Sequence, residues 1–377
     1  MSKTGYIIAE TIYWIGNLWL TGLTRVFYPR REKPPEKIAI FRTGNLGDTF
    51  CSIPAIRAVR ARYPRARYIL LTSDKTEGRP HPLGVLKDIL PFDKHILFNV
   101  SGLRDPRYLI GLIKRLRREK IDLLVYLGFS VKYFRILRDT FFYRISGCKT
   151  AVGFKWVRHG FFRLSQRRYR RFGNEVRRLM EVVRPLGIDP EEVKWEIPRP
   201  SHSLVREKNE DRPRIAIHPA AKFPVNRWPL ERFAGLIDRL RKEADPQIYI
   251  VGGHGIVEEG ERLEKMRGGR LINLCGKTDF IELADVLRSC DLVVSPDSGP
   301  IHVAAAVGTP VVGLYSARDY PGFWYPYGPN HIVFRKDPPC QVCFLTECAT
   351  MRCMEEITVA EVADACLTIL SGEKKFK

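Results

Sequence analysis

Apolar and polar positions along this chain change period repeatedly, from short continuous apolar runs to helical spacing and back. The runs Lys37–Phe41, Tyr68–Thr72, Ile96–Phe98 and Ile121–Leu127 predict buried strands. Among and after them, Ser52–Arg62, Pro106–Glu119 and Glu175–Leu186 predict helices. The polar, proline-bearing stretch Pro198–Pro213 reads as a linker. Beyond it the pattern restarts, with strands expected at Arg214–His218, Ile248–Val251, Asp291–Ser295 and Pro310–Leu314. Helices are expected at Leu230–Lys242, Val257–Met266, Asp279–Cys290 and Gly299–Val307. This alternation predicts an α/β protein of two doubly wound, Rossmann-like domains facing a cleft, at residues 34–200 and 201–377. A length of 377 residues also exceeds a comfortable single core. In such sheets ligands bind beyond the carboxyl ends of the strands, so loops that directly follow strands matter most.

Ahead of the first strand, the segment Tyr6–Tyr28 has a two-sided helical pattern. At about 100° per residue, Glu10, Asn17, Thr21, Thr24 and Arg25 share one arc, and Ile8, Ile12, Ile15, Trp19, Leu23 and Val26 lie opposite. A spanning helix needs about 20 mostly apolar residues, and this segment carries Glu, Asn and Arg. Residues 1–33 therefore read as an amphipathic helix lying in a membrane interface, followed by the basic Arg30-Arg31-Glu32-Lys33. The alternative is a helix packed on the protein's own surface. Nine cysteines without a secretory signal pattern suggest a reducing, cytoplasmic setting.

The charge distribution separates the two halves. Residues 101–180 hold 21 Lys and Arg against 5 Asp and Glu, whereas 181–377 hold 26 against 29. The first half thus expects a polyanion or an anionic membrane surface. The runs Lys114–Arg118 and Arg167–Arg171 would suit phosphates, yet no zinc-finger spacing, helix-turn-helix pattern or RNP-like segment accompanies them, so nucleic acid is not the expected partner.

Three loops after expected strands carry candidate chemistry. In Arg42-Thr43-Gly44-Asn45-Leu46-Gly47-Asp48 the glycines allow a tight turn, and Asp48 is placed either as a helix N-cap or as a base for an acceptor hydroxyl. In His218–Pro229, Lys222 and Arg227 are candidates to neutralise a diphosphate, the bland reading being ordinary surface charges. In Ser295-Pro296-Asp297-Ser298-Gly299-Pro300 a strand runs into a helix whose first turn has proline, and free N–H groups there suit an anion. Asp297 is a candidate for sugar hydroxyls and His302, one turn in, for a phosphate; a capped helix with a buried His is the alternative. Glu258 or Glu259, after Gly252-Gly253-His254-Gly255, is a candidate for ribose hydroxyls.

Together these loops resemble glycosyltransferase family 9, the ADP-heptose:lipopolysaccharide heptosyltransferases. The resemblance runs from about Lys37 to the C-terminal helix and is most specific over Asp291–Leu314; Gly44–Asp48 with Cys51–Ala55, and Arg227-Trp228-Pro229, also fit. It implies a GT-B fold, an N-terminal acceptor domain and a C-terminal nucleotide-sugar domain. It also implies Asp48 as general base, Asp297 as the acid holding the donor sugar, and Ser298 and Gly299 as backbone contacts to the diphosphate. Glu258 aligns with the ribose-binding acid, and Glu259 stays open beside it. Where family members usually have Lys just before Arg/His-Trp-Pro, this chain has Asn226. The implied reaction is inverting transfer of a heptose or related sugar, with ADP-heptose as donor, to a phosphorylated lipid-linked saccharide of the lipopolysaccharide core at the inner membrane. No DxD-type acidic pair is present, and no catalytic metal or other cofactor is expected. Gly44 and Asn45 by the loop, and Arg104, Arg107 and the 163–171 arginines by charge, are candidate acceptor contacts. Other readings stay open: a family member using a different nucleotide sugar, a nucleotide-sugar 2-epimerase, or a non-catalytic basic membrane adaptor on the same scaffold. Separately, Cys340, Cys343, Cys348 and Cys353 have spacing compatible with a structural zinc site, the alternative being packing thiols in a loop.

Overall fold

The computed structural model describes residues 3–29, 33–74, 82–128, 133–155, 173–205 and 212–372. The expected 163–171 arginine cluster and Arg30–Glu32 lie outside the described residues. Two compact units are formed: the first holds the described residues up to 155 together with Glu175–Lys194, the second holds 173–174 and the described residues from Trp195 onward. The main boundary, Lys194/Trp195, falls six residues before the expected 200/201, because Trp195 packs on Tyr327. Residues 3–29 belong to the first unit.

In the first unit the helix α1 (Lys3–Phe27) precedes β1 (Lys37–Phe41), α2 (Leu46–Cys51), α3 (Ile53–Arg62), β2 (Arg67–Ser73), α4 (Pro82–Leu86) and β3 (Lys94–Phe98). There follow α5 (Pro106–Glu119), β4 (Leu123–Tyr126), α6 (Tyr133–Ile145), β5 (Thr150–Val152) and α7 (Glu175–Val183). The helix expected over Ser52–Arg62 is α3; the short α2 is added ahead of it, and the two are separated at Ser52, whose hydroxyl bonds the Thr49 carbonyl at 2.6 Å just ahead of Pro54. Asp105 starts α5 by accepting from the Arg107 N–H, with proline in the first turn.

The second unit has β6 (Arg214–Ile217), α8 (Leu230–Ala244), β7 (Gln247–Ile250), α9 (Val257–Arg267), β8 (Leu271–Asn273) and α10 (Phe280–Arg288). It continues with β9 (Leu292–Pro296), α11 (Gly299–Ala306), β10 (Val311–Tyr315), β11 (His331–Arg335), α12 (Arg352–Glu355) and α13 (Val359–Leu370). Capping boxes open α10 at Asp279–Glu282 and α13 at Thr358–Glu361.

Both sheets are wholly parallel, ordered β3-β2-β1-β4-β5 and β11-β10-β9-β6-β7-β8. Each chain path runs outward from a central strand and returns on its other side, so the switch points lie between β1 and β4 and between β6 and β9. The two units fix their switch strands with the same device. Asp122, before β4, accepts from the Glu36 and Lys37 N–H groups at 3.1 Å, and Asp291, before β9, accepts from the Arg214 N–H at 2.8 Å. These bonds set the register at the amino ends, and the carboxyl ends stay open for chemistry.

Helix α1 touches the unit through Leu20, Phe27 and the following Tyr28, whose hydroxyl donates to the Thr140 carbonyl at 2.7 Å. Asn17 and Thr24 of the expected polar arc are half-buried, while Thr21 and Arg25 are exposed. The apolar residues Ile12, Trp14, Ile15, Leu18, Trp19 and Val26 are exposed. No described helix is long and apolar enough to cross a membrane.

Candidate active site

The first unit gathers charge at the exit of β1. Asn45 is the N-cap of α2 and Asp48 sits at the third helical position, not at the cap as the sequence suggested. Asp48 Oδ2 accepts from the Asn45 N–H at 2.8 Å, closing a capping box. Gly44, at φ +135°, lets the chain fold over this carboxylate; a Cβ there would lie 2.7 Å from the Asp48 Cβ. Asp48 Oδ1 lies 4.0 Å from the Arg42 guanidinium, and the side chain keeps 25 % of its surface exposed. It is thus both a helix-capping acid and an accessible carboxylate.

Arg42 is buried and reaches over the switch point, donating to the Leu127 carbonyl beyond β4 at 2.6 Å and to the Asp48 carbonyl. Its guanidinium also faces buried Glu175 at 3.6 Å, and Glu175 receives two bonds from Arg178, at 2.5 and 2.8 Å. Burial opposes the Arg178 charge, but the Glu175 carboxylate more than offsets this and raises its pKa. A buried guanidinium is tolerated only when paired in this way. The Cys51 thiol beside this cluster is pushed well up by burial and by Glu175, so it is a packing group and not a nucleophile.

The second unit gathers polar groups at the exits of β6, β7, β9 and β10. After β9, Asp297 is half-buried and its backbone N–H bonds the Leu314 carbonyl at 3.2 Å. Its Oδ2 accepts from Asn226 Nδ2 at 3.1 Å, and Asn226 Oδ1 accepts from the Ser316 hydroxyl at 2.5 Å. Three loops, from β6, β9 and β10, are joined through one buried amide. Ser298 caps α11, and its hydroxyl is 2.9 Å from that of Ser295. Ser298 and Gly299 are half-buried, so the first turn of this eight-residue helix is open to a ligand.

Lys222 and Arg227 are both exposed in the β6 loop. Lys222 lies over the Phe223 ring at 4.8 Å, and Arg227 Nε bonds the Ala221 carbonyl at 3.2 Å. On the same ring, at 4.2 Å, sits the Arg318 guanidinium, mostly buried, with Asp319 at 3.5 Å. Arg318 Nε is buried and finds no hydrogen-bond partner among the described residues. His302 is buried with its ring edge-on to Trp324 at 6.4 Å. Of the two acids opening α9, Glu258 is exposed, whereas Glu259 is half-buried and acts electrostatically on His218 and Cys275. Burial lowers the His218 pKa, and its Nδ1 lies 2.8 Å from the Val251 carbonyl. Gly252 keeps this corner open, since a Cβ would collide with Ile256 and come within 3.3 Å of His218 Nδ1.

Arg104 and Arg107 are exposed beyond β3, an edge strand two strands removed from β1, so the sheet does not gather them with Asp48. The four closely spaced cysteines lie outside any disulfide, and among the described residues no group of three or more His, Cys, Asp or Glu is arranged to hold a metal ion. Cys353 is drawn into the core beside Met354 and Ile357, while Cys340 is exposed. Sequence reasoning missed Glu175, Arg178, Ser316 and Arg318. The last two follow a strand directly, so the rule that selected the other loops applied to them too. Glu175 and Arg178 are distant in sequence from Asp48 and gave no local signal.

Two parallel-sheet units, each with polar groups at its switch point, define a doubly wound α/β protein. The model of glycosyltransferase family 9 (heptosyltransferase) matches residues 110–353, and the chain belongs to that family. It is 25 % identical over 301 residues to the lipopolysaccharide core heptosyltransferase OpsX of Haemophilus influenzae, covering 76 % of this chain and 81 % of the relative. A family 9 glycosyl transferase from Veillonella parvula superposes with a TM-score of 0.66 at 20 % identity, over 89 % of this chain and 98 % of that one. The ADP-heptose lipopolysaccharide heptosyltransferase II of E. coli does so with 0.58 at 21 %, over 90 % and 100 %.

Proposed function

We propose that this family 9 protein transfers a heptose from ADP-heptose to a hydroxyl of a phosphorylated, lipid-linked core saccharide, with inversion at the anomeric carbon. The observation that carries the reading is Asp297, held by Asn226 at a helix N-terminus on the second unit's switch point. The named relatives act in lipopolysaccharide heptose transfer, which favours this donor and this acceptor class.

In this reading Asp297 accepts from hydroxyls of the donor sugar, and the N–H groups of Ser298 and Gly299 receive the diphosphate. Arg318 adds a cation whose buried Nε finds no acceptor among the described residues, and Lys222 and Arg227 add charge nearer solvent. Glu259, better placed than Glu258, takes the ribose hydroxyls. Asp48 removes the proton of the acceptor hydroxyl as its oxygen bonds the anomeric carbon and the bond to the diphosphate breaks. Arg42 and Asn45 hold the carboxylate for that step. Negative charge grows on the leaving diphosphate and is met by the α11 N-terminus and the nearby guanidinium. No step requires a metal.

The acceptor is membrane-borne, and the first unit suits an anionic surface. The exposed apolar stripe of α1 provides insertion, and a cavity of about 870 Å³ beneath its C-terminal end is lined by Arg25, Lys33, Arg62, Arg65 and Lys155, with no carboxylate among the described lining residues. The protein then works peripherally at the cytoplasmic face of the inner membrane. A thermal-shift panel of ADP-, UDP-, GDP- and CMP-sugars tests the donor assignment. Stabilisation is expected with ADP-heptose and ADP, and stabilisation by another nucleotide alone contradicts it.

A further inference from the structure

A second cavity, of about 330 Å³, opens in the first unit between α5, α6 and the sheet. Its floor is the aromatic surface of Phe41 and Phe98, whose rings stack at 6.1 Å. Leu112 and Leu116 of α5 wall it. At its mouth stand Phe141 and Ile145, which line the cavity and are yet 46 % and 49 % exposed. Large apolar side chains half in water at the opening of an apolar chamber mark a ligand entrance rather than a packing defect.

Position and charge narrow the ligand. Phe141 meets Phe27 at the end of α1 with ring centroids 5.0 Å apart, so the mouth adjoins the helix whose apolar stripe is exposed. The two helices framing the cavity, α5 and α6, carry eight Lys and Arg against Glu119 and Asp139. Glu119 is paired with Lys94, and Asp139 accepts from Tyr126 and Arg138, so both acids are already neutralised. A ligand that matches this site has one slender apolar chain and an anionic head.

We propose that this cavity takes one acyl chain of an anionic lipid, with the head group left among the α5 and α6 cations. The lining of the site includes none of the residues Arg42 to Asp48. It deepens the membrane-surface reading given above, by adding capture of a single chain to surface adsorption. Capture of a chain would fix the orientation of the first unit on a bilayer, which adsorption of a stripe alone does not.

The test uses the full chain and 11-(dansylamino)undecanoic acid, displaced by saturated carboxylates of eight to fourteen carbons. One-to-one binding is expected, with affinity rising about fourfold per methylene until the cavity is full. Leu112→Trp, which fills the chamber, should weaken the probe at least tenfold, and Ile145→Trp at the exposed mouth repeats the test where refolding of the core is not at stake. Both variants should still cosediment with phosphatidylglycerol vesicles, because the α1 stripe is untouched. Binding without chain-length dependence, or unchanged in both variants, would overturn the proposal. Loss of vesicle cosedimentation by the wild-type chain while the probe still binds one-to-one would overturn the lipid as its source.

Discussion

The Asn226 side-chain amide donates to the Asp297 carboxylate across 3.1 Å and accepts from the Ser316 hydroxyl across 2.5 Å. One residue thereby joins the loops after β6, β9 and β10. Asn226 is also the position where the chain departs from the lysine usual in family 9. From this position the chain presents a neutral amide to the Asp297 carboxylate.

Asn226→Ala removes the donor that aims Asp297 and leaves the buried Ser316 hydroxyl short of an acceptor. Loss of about 1–3 kcal/mol is expected for such a deletion. Calorimetric titration with ADP-heptose should show at least a fivefold rise in Kd. An unchanged Kd would mean that Asp297 does not depend on the amide.

The Arg42–Glu175–Arg178 cluster makes a stability prediction. Glu175→Ala leaves the buried Arg42 guanidinium with only the more distant Asp48 and takes the carboxylate from half-buried Arg178, at a cost of about 3 kcal/mol. Urea unfolding should show the midpoint falling with little change in slope. A surface control such as Glu192→Ala, exposed and paired with exposed Lys194, should change stability by less than about 0.5 kcal/mol.

His218 is buried and His331 half-buried, and the partial or full loss of solvent lowers both pKa values. Between the folded values and the ordinary value of about 6.5, the unfolded chain binds more protons than the folded one. Their contribution is therefore constant above pH about 6.5, and stability falls as pH drops below it. Melting temperature should decline from pH 7 to 5.5, and the decline should be shallower in the double variant His218→Asn, His331→Asn.

The α1 stripe predicts membrane behaviour. Replacing Trp14, Leu18 and Trp19 by Ser removes apolar surface that is mostly exposed to solvent. Cosedimentation with phosphatidylglycerol vesicles should fall severalfold while the melting temperature stays within about 2 °C. Equal vesicle binding would show that the basic surface alone suffices.

Most of the fold was legible because parallel strands buried on both faces leave near-continuous apolar runs, as in Leu292–Val294 and Val311–Val312. The short β5, β8 and β11 escaped: β5 and β8 have three residues each, and all five of β11 are only half-buried. Helix α6 escaped because Phe134 and Phe141 sit on its exposed side and blur the amphipathic period. At the candidate site, Asp48, Asp297, Ser298 and Gly299 were visible as loop residues after strands. Glu175 and Arg178 join the Asp48 loop through Arg42, by tertiary packing that local spacing does not encode, and Ser316 joins Asp297 through Asn226. The role of Asn226 was hidden for the same reason, since its neutrality reads as a loss until Ser316 and Asp297 are seen on either side.

Asp48→Asn keeps the size of the side chain and an oxygen able to accept from the Asn45 N–H, while removing the base. Single-turnover transfer from ADP-heptose to a heptose-deficient core acceptor, with donor Kd measured alongside, tests the central claim most directly. The transfer rate is expected to fall at least a hundredfold with donor Kd within twofold of wild type. Transfer at a wild-type rate by Asp48→Asn would contradict it.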